Sequence, residues 1–122
     1  MGEFASLERC AAYVATRATL AAVERAVARW PQSLGERTRR VAVDAMETTA
    51  KSLGHDRLSV ARRHCLRDAI SSAVAVASCI DLAHAMGFAI REIDELHRLA
   101  GRSIALLAML LHASTSPIPE VA

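Results

Sequence analysis

The sequence predicts an all-α fold: an antiparallel up-down-up-down four-helix bundle, assembled into a ring-like homo-oligomer. Three observations carry this. Apolar residues recur at helical spacing in four segments, separated by short breaks that contain proline or glycine. The hydrophobic fraction is 52% while aromatics make up 3%, so the core must be built from Ala, Val, Leu and Ile, which suits close-packed helices. Two runs, residues 69–80 and 104–113, carry no charge at all. A helix that is apolar nearly all round must be covered on every side. A chain of 122 residues is too small to wrap two such helices by itself, and further copies of the chain are the simplest cover.

The first helix spans residues 5–30, with Leu7, Cys10 or Ala11, Val14, Ala18, Ala21 and Val27 at helical spacing. Pro31 ends it, because the residue before a proline avoids the α region. The second starts near Ser33, where Glu36 three residues on completes a capping box. It runs to Leu53, and Gly54 supplies the left-handed position after it. Its polar stripe is Glu36, Arg40, Asp44, Glu47 and Lys51; its apolar side carries Val43, Met46, Ala50 and Leu53, beside Leu34, Val41 and Ala45.

Residues 55–58 lead into a third helix over 59–86, ended by Gly87. Leu66, Ile70, Ala73 or Val74, Ala77 and Ile80 form its core stripe, with Ala69, Val76, Cys79 and Met86 beside it. The fourth spans 90–113 with Ile93, Leu96, Ala100, Ile104, Leu107 and Leu111 on one face. Short connections make sequential helices antiparallel neighbours. Residues 1–113 then form a single domain, and 114–122 form a flexible, proline-rich C-terminal tail. The neutral runs place an oligomer interface at Val76, Cys79, Leu107 and Leu110.

Several function classes are excluded. There is no glycine-rich phosphate loop, no G-x-S-x-G and no zinc-like Cys/His spacing. Cys10, Cys65 and Cys79 are odd in number and form no C-x-x-C, which points to reduced thiols and a cytoplasmic location. Charges near the start break any signal-peptide pattern. No apolar run reaches the roughly 18 residues of a membrane span. No catalytic residue and no cofactor is implied.

Net charge is +2, and fourteen of the fifteen basic residues are Arg. Arg37, Arg39 and Arg40 cluster in the first half of helix two; Arg57, Arg62, Arg63 and Arg67 cluster around the start of helix three. These lie at opposite ends of two adjacent helices. Repeated around a ring, they make belts of guanidinium groups suited to RNA phosphates. The plainer alternative is a solvated face neutralised by Glu36, Asp44, Glu47 and Asp68. Tyr13 and Trp30 are the candidates for base stacking, too few for reading a single strand, so recognition would run through shape or backbone.

Two D-x-x-H steps, Asp81/His84 and Asp94/His97, put carboxylate and imidazole on one helix face. With Glu24 and Glu36 they give a remote alternative, a di-metal carboxylate bundle. Against it, Asp is shorter than the usual Glu, and Asp94 sits at a helix start where an acid is favoured anyway. No metal ligand is assigned. His64 and Cys65 are adjacent on a helix, point about 100° apart, and do not form a nucleophile pair.

The order of several segments resembles a known family. Residues 28–31 (ARWP) close helix one, and residues 34–43 (LGERTRRVAV) carry paired arginines. Helix two ends in glycine at 52–54, Leu66, Ala69, Ser72 and residues 78–81 (SCID) follow on helix three, and residues 85–93 (AMGFAIREI) open helix four. In these features, over residues 13–113, the chain resembles the four-helix-bundle proteins encoded in intervening sequences of bacterial 23S ribosomal RNA genes. The accessory variability proteins of diversity-generating retroelements are similar in fold. The chain departs from the pattern after helix two, where residues 48–54 (TTAKSLG) replace an Asn-x-x-Glu-Gly ending. The resemblance implies a homo-oligomer, a five-fold ring, with a basic surface suited to RNA and no catalytic residues. It leaves open a protein partner, such as a reverse transcriptase, for which the ring would be a scaffold.

Overall fold

The computed structural model describes residues 7–88 and 91–115. Among them no strand occurs. Four long helices dominate: α1 (Ala11–Ala26), α2 (Gln32–Ser52), α3 (Val60–Ala85) and α4 (Ile93–Thr115), with a 3-10 turn at Val27–Arg29. Each helix packs against two others, in the cyclic order α1, α2, α3, α4. Neighbours run antiparallel. Arg29, just after α1, pairs with Glu92, just before α4, while Thr19 in α1 meets Ser103 further along α4. Asp81 near the end of α3 meets His97 near the start of α4, and Arg63 near the start of α3 reaches the carbonyl of Ser114 near α4's end. Arg39 of α2 meets Glu24 of α1 in the same sense.

The helix ends differ in detail from the sequence reading. The first helix is interrupted at Cys10, whose backbone is extended (φ −85°, ψ 110°), and its last turn tightens to a 3-10 turn before Pro31. The expected capping box at Ser33 does not form. Pro31 takes the cap position, α2 begins at Gln32, and the Glu36 carboxylate accepts from the Gln32 side chain at 3.1 Å. Gly54 does not adopt a positive φ; its N–H donates to the Lys51 carbonyl at 3.1 Å, in a 3-10-like ending.

Two ends follow the sequence closely. Ser59 caps α3, its hydroxyl accepting from the Arg62 N–H at 3.1 Å. Gly87 (φ 89°) closes α3. Phe88 N–H donates to Ala83 at 2.8 Å and Gly87 N–H to His84 at 2.9 Å, a paired arrangement that only a left-handed residue permits cheaply. Helix α4 continues through Ser114, buried with its hydroxyl donating to Leu110, to Thr115. Two residues expected in the tail thus belong to the helix; the rest of that expectation lies outside the described residues. Among the described residues no helix is long and apolar enough to cross a membrane.

The core forms two clusters. The larger includes Val23, Val27, Trp30, Leu34, Ile80, Leu96 and Leu99; the smaller is built on Leu66 and Leu107 with Ala12, Ala45, Ala69 and Ala73. Between them a gap of about 10 Å³ is lined by Thr16, Thr19, Ala42, Ala73, Ala100 and Ser103, about enough for one water molecule. Among the described residues the buried polar ones are all Ser or Thr. Thr19, Thr38 and Thr49 each donate to the carbonyl four residues back, at 2.9, 2.7 and 2.6 Å. A hydroxyl satisfied on its own helix can be buried without the penalty of an unpaired polar group.

Candidate nucleic-acid interface

The seven arginines singled out by sequence meet two fates. Arg37, Arg40 and Arg67 are exposed, and none makes an ion pair or side-chain hydrogen bond among the described residues. The other four are engaged within the bundle. Arg39 donates from Nε to Glu24 across the α1–α2 seam. Arg57 donates to the carbonyl of Ala113 at 2.6 Å. Arg63 donates to the carbonyls of Leu58 at 2.7 Å and Ser114 at 3.5 Å. Arg62 donates to the His55 carbonyl at 3.3 Å, while its Nε is buried with no partner among the described residues. Arg57 and Arg63 thus sit on the last carbonyls of α4, where the helix dipole is negative and cations are favoured.

Arg98 and Arg102 were missed by the sequence reading. They are exposed, one turn apart on α4, and unpaired among the described residues. A signal was present. From Leu96 to Thr115 there is no acidic residue, so the acids near them on their own helix are Asp94 and Glu95, four and three residues before Arg98. Among the described residues aromatic surface is scarce. Trp30 is 6% exposed, Phe88 packs against the core, and half-buried Tyr13 lies under the Arg17 guanidinium, 5.9 Å from the ring centre.

The residues expected at an interface between chains lie elsewhere. Val76, Cys79 and Leu107 are 1%, 1% and 0% exposed within the single chain. Leu110 is half-buried against the smaller core cluster. The bundle covers the first three positions by itself and Leu110 in part. The outward positions of the neutral runs are filled instead by small or uncharged residues: Ser71, Val74 and Ser78 on α3, Ala105, Ala108 and Met109 on α4. A run without charge still has an outside. Among the described residues, exposed large apolar side chains occur on α3, on α4 and in the connections on either side of α3, and none on α1 or α2.

The two Asp/His pairs meet only through one member of each. Asp81 Oδ1 and His97 Nε2 lie 2.6 Å apart, joining α3 to α4, and Glu24 is held by Arg39. No three His, Cys, Asp or Glu side chains among the described residues are grouped to hold a metal. The cysteines are free thiols, Cys79 buried and the other two half-buried.

Where α1 turns into α2, a cleft of about 240 Å³ opens, lined by Val27, Trp30, Gln32, Gly35, Glu36 and Arg39. Gly35 lets the two elements approach closely, since a Cβ there would come 3.3 Å from the Val27 side chain and carbonyl. Compared with models of known protein families and with curated proteins, the chain matches none.

Proposed function

We propose that this chain is a non-enzymatic RNA-binding protein that contacts phosphates through exposed arginines and works as an assembly of identical bundles. The observation that carries the reading is the set Arg37, Arg40, Arg67, Arg98 and Arg102, exposed and unpaired among the described residues on a scaffold with little aromatic surface. Such a surface binds the charge of the backbone rather than stacked bases. The resemblance to the ribosomal intervening-sequence proteins supports the same class of partner.

The test is binding of a structured RNA, followed by fluorescence anisotropy over a salt series. Steep weakening with rising salt is expected, with a slope reduced by about one for each phosphate contact removed. Arg37→Glu with Arg40→Glu should abolish most binding and leave the helical signal intact. Unchanged binding in that variant would overturn the assignment.

Self-assembly is supported by the neutral outer surface of α3 and α4, and the five-fold ring by the resemblance. Light-scattering mass measures it. Ala105→Glu with Met109→Glu should yield folded monomers; an unchanged assembly would remove this surface from consideration. The second reading, a scaffold for a partner protein such as a reverse transcriptase, is favoured by the engagement of Arg39, Arg57, Arg62 and Arg63 inside the bundle. Absence of RNA binding even at low salt would select it.

A further inference from the structure

We propose that the cleft between the 3-10 turn and the start of α2 takes one unpaired purine base of the bound RNA, guanine in preference to adenine. This inference rests on the RNA reading above and adds to it a base-reading site.

Size limits the ligand first. Sites for drug-sized molecules measure roughly 300–1,000 Å³; at about 240 Å³ this cleft suits something smaller, such as a single base. Its walls are apolar at Val27 and Trp30, and the missing side chain of Gly35 keeps α2 tight against the turn. Glu36 and Arg39 are three residues apart on one helix, hence neighbours on one face, and both line the cleft.

Their remaining hydrogen-bonding capacity sets the chemistry. Glu36 uses Oε1 to accept from Gln32 and keeps Oε2. Arg39 uses Nε on Glu24 and keeps the N–H groups of both terminal nitrogens. The cleft therefore offers an acceptor beside donors. A free phosphate would meet the Glu36 carboxylate, and a simple cation would meet the Arg39 guanidinium. A guanine edge supplies both halves: N–H donors for the carboxylate, and O6 for the guanidinium. Adenine carries an amino donor where guanine carries O6, so it would set donor against donor at Arg39. Arg40, exposed and four residues from Glu36 on the same helix face, is placed for a flanking phosphate.

Trp30 is the only tryptophan in the chain and forms part of the cleft wall, so its fluorescence reports occupancy directly. The experiment titrates the full chain with GMP, AMP and inorganic phosphate, then with two RNA hairpins that differ in one unpaired loop base, G or A. GMP and the G hairpin are expected to change Trp30 emission saturably. AMP and the A hairpin should act on the order of tenfold more weakly, and phosphate not at all. Glu36→Gln, checked for helix content by circular dichroism, should erase the preference for G.

RNA binding by anisotropy without any change in Trp30 emission would overturn the base site and leave the phosphate reading standing. An equal response to phosphate, or a G preference that survives Glu36→Gln, would overturn it as well. A response to GMP with no RNA bound at low salt would keep the guanine chemistry and overturn its assignment to RNA. Silence in both measurements would remove both proposals.

Discussion

The two ends of the bundle satisfy their arginines in different currencies. At the Trp30 end, guanidinium groups meet carboxylates across helix seams: Arg39 with Glu24, Arg29 with Glu92, and Arg25 with Glu95 at 3.9 Å. At the Leu66 end, Arg57 and Arg63 are spent on the backbone carbonyls of Ala113 and Ser114. The core follows the same division, large around Trp30 and small around Leu66. A cluster of arginines in a sequence therefore says little until their partners are known. At one end they stitch helices through side chains, at the other they finish a helix, and only the remainder faces outward for a ligand.

The contrast can be broken most severely from inside. Leu107→Asp places an unpaired charge at a position 0% exposed and should abolish folding, read as loss of the helical circular-dichroism signal. Next come cavities at each end. Trp30→Ala should cost about 3–5 kcal/mol and Leu66→Ala about 2–5 kcal/mol in urea unfolding, with the larger loss at the Trp30 end. Equal or reversed losses would mean the two clusters do not differ in weight.

Smaller effects separate the charges. Arg57→Ala should cost about 0.5–1.5 kcal/mol and raise hydrogen exchange in the last turn of α4 selectively. Glu24→Gln, which removes an exposed pair, should cost less than about 1 kcal/mol, an effect that fades as salt rises. Where the chain enters α1, the Arg17 guanidinium bonds to the Glu8 carboxyl and holds its pKa below the ordinary carboxylate value. A depressed folded-state pKa stabilises above the unfolded value, and that contribution is lost as pH falls through the folded one. Arg17→Gln should return the Glu8 titration, followed by NMR, to the ordinary range.

The helices and their antiparallel order were legible in the sequence because period and breaks are local signals. On α3 and α4 the face was legible too: Leu66, Ile80, Leu96 and Ala100 were expected inside and are buried, whereas Leu107, assigned to an interface between chains, is covered within one bundle. On α1 and α2 the phase was misread. Ala11 and Ala21 are exposed, while Thr16, Thr19, Thr38, Thr49 and Ser52 are buried. With few large side chains, an alanine-rich helix offers little contrast, and threonines that bond to their own helix hide their polarity.

The candidate site was legible only in part. That Arg40 faces outward follows from the polar stripe of α2. That Arg57 and Arg63 cap α4 depends on contacts between residues more than fifty positions apart, which no local pattern encodes. The cleft at Trp30 likewise exists only once the 3-10 turn has folded back on Gly35.

The narrow middle of the bundle has a consequence for alignment. Around Ala42, Ala73 and Ala100 the gap is lined by small side chains, Val76 being the largest, so this layer does little by shape to fix where α1 stands along α4. Thr19 adds a polar constraint there. Its hydroxyl meets Ser103 at 2.9 Å and the Leu99 carbonyl at 3.2 Å, and a shift of one turn, about 5.4 Å, would break both contacts at once. A pair of hydroxyls thus acts as the index mark that fixes where one helix stands against the other.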